Sequence, residues 1–158
     1  MKSTLLRVIL VVLLLGILAS TADAQRRTRR RSVATTSGPR YGPHLGYNFD
    51  AEALLLGAQV SWPISPAMDL YPTFDYYFID PGSLWALNFD LKYRPPTRYG
   101  AWYVGGGLNL AHSNGTDTNL NLVTGLEGRR GGTRPYVEAR FILGSGSSFQ
   151  IVGGFSMR

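Results

Sequence analysis

Apolar and polar residues alternate with a period of two along most of the chain from Tyr41 onward. Successive side chains of a β-strand point to opposite faces, so this period predicts strands and not helices. Short clusters of Gly, Pro, Asn and Asp interrupt the alternation, as the turns of β-hairpins do. The pattern predicts eight strands, at approximately 44–49, 54–62, 68–78, 85–93, 101–110, 119–127, 136–143 and 149–157.

The turns between these strands are short, which favours an antiparallel arrangement in which each strand pairs with the next. The predicted fold is therefore all-β: an eight-stranded antiparallel up-and-down β-barrel over residues 41–158. Pro72 falls inside the third strand, where its missing N–H predicts a bulge or a later strand start.

The two faces of the predicted strands differ in charge. None of the 37 residues on one face is charged, and only Thr124 is plainly polar. The opposite face carries many glycines and every charge that falls within a strand: Asp69, Asp75, Asp90, Lys92, Glu127, Glu138 and Arg140. The surface of a soluble barrel is usually rich in Lys and Glu, yet residues 25–158 contain a single lysine. We therefore expect the uncharged face to contact lipid, as in a transmembrane barrel.

Eight strands enclose an interior that side chains just fill. The seven charged residues are thus expected to form a polar network in a closed lumen, where Lys92 and Arg140 neutralise neighbouring carboxylates. The alternative is that these seven residues line an open pore. Aromatic residues near strand ends on the uncharged face predict the girdles that membrane barrels place at the bilayer interfaces: Trp62, Trp85, Trp102, Tyr47 and Tyr93.

Residues 1–24 have the features of an export signal. Lys2 and Arg7 frame its start, and an apolar run of 12 residues follows at 8–19, too short for a membrane-spanning helix. Ala22 and Ala24 match the A-x-A spacing that signal peptidase accepts, so we expect cleavage after Ala24, with an uncleaved anchor as the alternative. The five arginines between positions 26 and 31 oppose translocation and argue against export.

Residues 25–40 lack an apolar period and are expected to form a disordered basic arm. The net charge of +6 belongs to the signal and this arm, because residues 41–158 carry eight basic and nine acidic side chains. A nucleic-acid partner is therefore not expected. Anionic lipid headgroups or acidic envelope polymers suit the arm, and a solvated tail without a partner is the alternative.

The up-and-down order places the turns 63–66, 94–100 and 128–134 at the same end as both termini. All the charges at that end are arginines: Arg40, Arg94, Arg98, Arg129, Arg130, Arg134 and Arg158. All the charges at the opposite end are acidic: Asp50, Glu52, Asp80 and Asp117. Turns that collected charge at random would mix the two signs.

Four stretches of the predicted barrel, 103–110, 125–127, 134–141 and 149–155, combine glycines with aromatic residues on strands. In these patterns the chain resembles the small bacterial outer-membrane barrels of the OmpA membrane-domain, OmpX and opacity-protein type. The resemblance implies a barrel in the outer membrane of a Gram-negative envelope with the basic end in the periplasm. It also implies contact with lipopolysaccharide and insertion by the outer-membrane insertion machinery. The chain departs from the family in its short outer turns and in the three residues after Phe155.

One predicted turn, 112–118, brings His112, Ser113 and Asp117 together. Some eight-stranded barrels are lipid A deacylases with a His and a Ser at the outer rim, but a nucleophile needs its base within hydrogen-bond reach. A hairpin turn around Asn114-Gly115 is the simpler interpretation, and no catalytic residue is predicted. His44 has no second ligand at metal spacing, so neither a metal nor a cofactor is expected.

The sequence thus predicts a non-enzymatic outer-membrane β-barrel, exported and monomeric, with a structural or surface-interaction role and a filled, non-conducting lumen. Two alternatives stay open: a lipid A deacylase-like enzyme of the outer membrane that uses His112 and Ser113, and a soluble secreted barrel that binds a ligand.

Overall fold

The computed structural model describes residues 38–80, 82–95, 102–128 and 132–158. The predicted export signal and all but the last residues of the predicted arm lie outside this part of the chain. Arg40, which we assigned to the arm, is instead the first residue of a strand and is buried. The barrel therefore begins one residue earlier than the alternation indicated.

Eight strands form one closed sheet in which each strand pairs with its neighbours in sequence and the last pairs with the first. The strands are β1 (Arg40–Asn48), β2 (Ala53–Ser65), β3 (Met68–Phe78), β4 (Leu84–Tyr93), β5 (Trp102–His112), β6 (Thr116–Glu127), β7 (Arg134–Leu143) and β8 (Ser148–Ser156). All eight pairings are antiparallel, which confirms the predicted fold. Within the described residues, no helix is long and apolar enough to cross a membrane.

The hairpin between β5 and β6 is tighter than predicted. His112 still belongs to β5 and pairs with Thr116, the first residue of β6. Only Ser113, Asn114 and Gly115 remain in the turn, which a 3.1 Å hydrogen bond from the Ser113 N–H to the Gly115 carbonyl closes. The polar residues that suggested a longer loop belong instead to the ends of β5 and β6 that flank this turn.

The predicted bulge or late start at Pro72 is wrong. β3 begins at Met68, runs through Pro72, and pairs Pro72 with Phe89 of β4. The register shift in this region lies in β2, between Pro63 and Ser65. Pro72 lacks an N–H and so cannot donate one backbone hydrogen bond to β2. The loss of that single bond leaves the register between β2 and β3 unchanged on either side of it, from Gln59–Thr73 to Trp62–Leu70.

Burial follows the predicted alternation around the whole barrel. None of the 37 residues on the uncharged face is buried. Large apolar side chains such as Trp62 (57% exposed) and Leu120 (58%) point away from the barrel. We call the end that carries Arg40, Arg94, Arg134 and Arg158 the basic end. The end with Asp50, Glu52, Asp80 and Asp117 is the acidic end.

Candidate functional site: the charged barrel interior

The structure places the seven charged residues of the predicted lumen network inside the barrel. Their exposure ranges from 0% for Asp75 and Asp90 to 9% for Asp69. They lie on four strands, β3, β4, β6 and β7, because the period of two turns the same face inward on each strand. These side chains form two groups along the barrel axis.

The first group, which we call the core ion cluster, comprises His44, Asp75, Asp90, Lys92, Glu138 and Arg140. Arg140 is its centre. The guanidinium lies 3.0 Å from a Glu138 oxygen, 3.2 Å from Asp75 and 3.3 Å from Asp90. Asp75 also contacts the His44 ring at 2.5 Å. One buried cation thus serves three carboxylates, which would otherwise be costly to keep ionised out of water.

Lys92 occupies a cage of aromatic rings within the same cluster. Its ammonium lies 2.5 Å from Glu138 and 3.0 Å from the centre of the Tyr71 ring. The rings of Tyr103 and Tyr136 lie 4.2 and 5.6 Å away, and the Tyr103 hydroxyl donates to Glu138 at 2.8 Å. A desolvated ammonium is attracted to the faces of such rings, so the cage stabilises the buried charge of Lys92, the only lysine in residues 41–158.

The second group, the basic-end cluster, consists of Arg94, Asp69 and Glu127. Arg94 follows the last residue of β4 and turns its guanidinium inward, 2.8 Å from Asp69 and in direct contact with Glu127. Burial lowers the pKa of Arg94, but the carboxylates of Glu127 and Asp69 outweigh burial, and the net pKa lies above the ordinary value. The side chain is thereby fixed as a cation across the basic end.

Amide side chains of β4, β5 and β6 form hydrogen bonds with the core ion cluster and with one another. Asn88 donates to Asp75 and to Thr73, both at 2.8 Å, and accepts from Asn109 at 2.7 Å and Asn121 at 2.9 Å. Asn121 also donates to Asp90 at 3.0 Å. These bonds occupy one oxygen each of Asp75 and Asp90 and hold the two carboxylates in one arrangement. The other Asp90 oxygen is ion-paired with Arg140 but accepts no hydrogen bond within the described structure.

Toward the acidic end the interior becomes apolar. A buried cluster there includes Ala53, Leu55, Tyr77, Ala86 and Val152, with Ile79, Leu84 and Ala111 packed against it. The Tyr77 hydroxyl donates to Gln150 at 2.9 Å. Buried charged groups therefore occupy the middle and the basic end of the interior, whereas apolar side chains and uncharged amides such as Gln150 occupy the acidic end.

Inward-facing glycines make room for these side chains. A Cβ atom on Gly125 would lie 2.6 Å from the Tyr103 hydroxyl, and one on Gly154 would lie 2.7 Å from the His44 Cβ. Glycine at these inward positions thus avoids clashes both with bulky inward side chains and with the backbone carbonyls of the neighbouring strand, which would lie 2.5 Å away at Gly125 and 2.6 Å away at Gly154.

We predict that Gly125→Ala destabilises the barrel by about 1–3 kcal/mol, because the new methyl group would lie 2.5 Å from the Val137 carbonyl oxygen and 2.6 Å from the Tyr103 hydroxyl, so that both must shift. The matched control is Gly115→Ala in the β5–β6 turn, where a Cβ would meet no atom within 4 Å. Urea unfolding of the two refolded variants checks the difference. Equal midpoints would contradict the argument from crowding.

The catalytic alternative required His112 and Ser113 to act together. The structure instead puts the His112 ring beside Trp85, with ring centres 5.0 Å apart, and 2.9 Å from the Thr116 hydroxyl. Ser113 lies in the turn and its backbone N–H closes that turn. The hydrogen bond of His112 thus goes to Thr116 rather than to Ser113.

The five predicted girdle residues lie on the outer face near strand ends. Trp62, Tyr93 and Trp102 are exposed near the basic end. Tyr47 and Trp85 are half-buried near the acidic end, where Trp85 packs against Phe74 and His112.

Sequence reasoning missed three contributions to the interior. Arg94 looked like a turn residue, His44 like an isolated histidine, and the tyrosines around Lys92 like ordinary strand residues. Their inward parity was the available signal: His44, Tyr71, Tyr103 and Tyr136 all share the face of the charged residues.

No protein-family model and no curated protein matches this chain. Its fold is similar to the N-terminal β-barrel domain of OprF from Pseudomonas aeruginosa, with a TM-score of 0.62, 16% identity, and coverage of 75% of this chain and 95% of that one. It is also similar to the de novo designed protein TMB2.3, with a TM-score of 0.57, 15% identity, and coverage of 78% and 98%. At such low identity the similarity establishes the fold: a closed, eight-stranded antiparallel β-barrel like that of the OprF domain.

Proposed function

We propose that this chain is a bacterial outer-membrane β-barrel protein with a structural or surface-interaction role. The distribution of charge across the barrel wall carries the proposal. The outer wall exposes large apolar residues on all eight strands and no charged one, whereas Asp75, Asp90 and Arg140 are at most 2% exposed inside. A soluble barrel would have the opposite arrangement, since water favours charge outside and hydrocarbon inside.

The proposed orientation follows from the two ends. With the termini and the basic end in the periplasm, the acidic turns face the outside of the cell. The turns at the acidic end are short, at three to five residues between strands, so the exposed surface is small and suits contacts at the level of the lipopolysaccharide headgroups.

Cell fractionation and gel mobility test the proposal. We expect the protein in the outer-membrane fraction, running at one apparent mass unheated and at another after boiling, because a closed barrel in lipid resists SDS until heated. A variant truncated after Leu143 lacks β8 and cannot close, so it should show one mobility only. Recovery of the full chain from the periplasm without detergent would contradict the proposal.

The lumen is proposed to be filled and non-conducting. Arg140, Lys92 and Arg94 cross the interior to partners on other strands, and the apolar cluster around Leu55 follows along the axis. Planar bilayers containing the refolded protein should therefore show no stepwise current. Bilayers that receive the boiled protein are the control and should show none either. Reproducible steps from the refolded sample alone would establish a pore.

A further inference from the structure

Two arginines lie on the inner face of the barrel at the basic end. Arg40 begins β1 and Arg134 begins β7, the two strands that flank β8. Arg40 is in step with the buried His44 of β1. Arg134 is in step with the buried Tyr136 of β7. By the period of two, both arginines therefore face the barrel axis and not the outer wall.

The Arg40 side chain crosses β8 and ends beside the start of β7. Its Nε donates to the Ser156 hydroxyl at 3.3 Å, and its Nη2 donates to the Ser156 carbonyl at 3.1 Å and to the Gly132 carbonyl at 2.6 Å. Ser156 pairs with Arg134 in the register of β7 and β8, and Gly132 lies two residues before Arg134. These bonds fix the Arg40 guanidinium next to Arg134, and none of the groups that accept them is charged.

The Arg134 side chain has no partner among the described residues. Its Nε is buried and makes no hydrogen bond there, and the side chain forms none of the ion pairs of the described residues. A buried donor without an acceptor is costly, and more so when the donor is charged. Arg134 therefore lacks an acceptor that the described part of the chain does not supply.

The charges around Arg40 and Arg134 are not balanced. Arg134 and Arg158 repel the charge of Arg40, and Glu127, which attracts it, already contacts Arg94. Asp69, the other acidic side chain in the described part of the basic end, also contacts Arg94. An anion beside Arg40 and Arg134 would offset this repulsion and accept the hydrogen bond of the Arg134 Nε.

Phosphate is the anion that matches this pair. Two guanidinium groups carry two positive charges, and a phosphate monoester carries about −1.5 to −2 at pH 7, whereas a carboxylate has a single negative charge. The planar fork of arginine also binds phosphate oxygens in pairs. Arg134 is half-buried, so a ligand reaches it from the opening of the barrel.

We propose that the opening of the barrel at the basic end binds the phosphate group of a soluble molecule, with Arg134 in contact with the phosphate and Arg40 as the second positive charge. The site goes beyond the proposed structural or surface-interaction role. It does not depend on the membrane location, because both side chains face the barrel axis. A lipid headgroup carries the same chemistry, but it would approach from the outer wall.

Isothermal titration calorimetry of the full chain in micelles of a nonionic detergent tests the site, with inorganic phosphate as the probe at constant ionic strength. We expect one phosphate to bind per chain. Arg134→Gln should weaken phosphate binding about tenfold, the effect of losing one charged hydrogen-bonding group. Arg134→Lys keeps the charge but loses the Nε–H and the fork, so its phosphate affinity should lie between those of the full chain and Arg134→Gln.

Arg158→Gln is the matched control, because it removes one positive charge from the same end at an exposed position after β8. It should weaken phosphate binding by about twofold at most, since salt screens an exposed charge. Heat-shifted mobility verifies that each variant folds. Equal losses in Arg134→Gln and Arg158→Gln would show diffuse attraction to net charge and would overturn the proposal. So would a full chain that binds no phosphate.

Micelles that also contain phosphatidylglycerol separate the two sources of phosphate, with micelles that contain an anionic fatty acid as the control for micelle charge. We expect the affinity for inorganic phosphate to be the same in both kinds of micelle. Weaker phosphate binding with phosphatidylglycerol alone, absent in Arg134→Gln, would overturn the soluble source and assign the site to a lipid headgroup.

Discussion

Arg140→Met is expected to lower the free energy of unfolding by about 3–5 kcal/mol, the usual effect of removing one partner from a buried ion pair. The guanidinium is 2% exposed and contacts Asp75, Asp90 and Glu138. Without it, three buried carboxylates share Lys92 and His44. Methionine has a similar length and fills the space, so the loss measures charge and hydrogen bonding more than packing.

Urea unfolding in lipid vesicles, followed by tryptophan fluorescence, measures this loss. Arg158→Met removes an exposed arginine at the basic end and should change stability by about 0–1 kcal/mol. Arg140→Lys, which keeps one cation but loses the fork of donors, should fall between the two. A loss below about 1 kcal/mol for Arg140→Met would show that the core ion cluster does not stabilise the barrel.

Leu122→Arg is expected to destabilise the barrel by about 2–4 kcal/mol, and Leu126→Arg by about 0–1 kcal/mol, because a charge on the lipid face is worst at the bilayer midplane. Both leucines point outward from β6 and both are 53% exposed. They differ in depth: Leu122 is in the middle of Thr116–Glu127 and Leu126 is next to its end.

The comparison separates a membrane wall from a solvated one. In water, two leucines of equal exposure on one strand should tolerate arginine equally. The same vesicle-based unfolding assay measures both variants, with Leu122→Ala as the control for lost side-chain volume. Equal stability of the two arginine variants would refute the lipid-facing wall.

Much of the fold could be predicted because local sequence determines both where strands form and which side chains share a face of each strand. A period of two fixes which side chains share a face, so the inward position of Asp75 and the outward position of Leu122 follow once a strand is placed. Strand ends were less predictable. His112 and Thr116 are polar like turn residues, and only their pairing across the hairpin shows that they extend β5 and β6.

The sequence by itself determined an eight-stranded barrel with an uncharged wall and a charged, glycine-rich interior. Which charges meet was decided by the tertiary structure. Arg94 reaches Asp69 and Glu127, 25 and 33 residues away, and Lys92 reaches Glu138 across 46 residues. These contacts depend on closure of β1 against β8 as well as on register. Turn lengths set the register between neighbouring strands, but which side chains meet across the lumen follows only when the sheet closes.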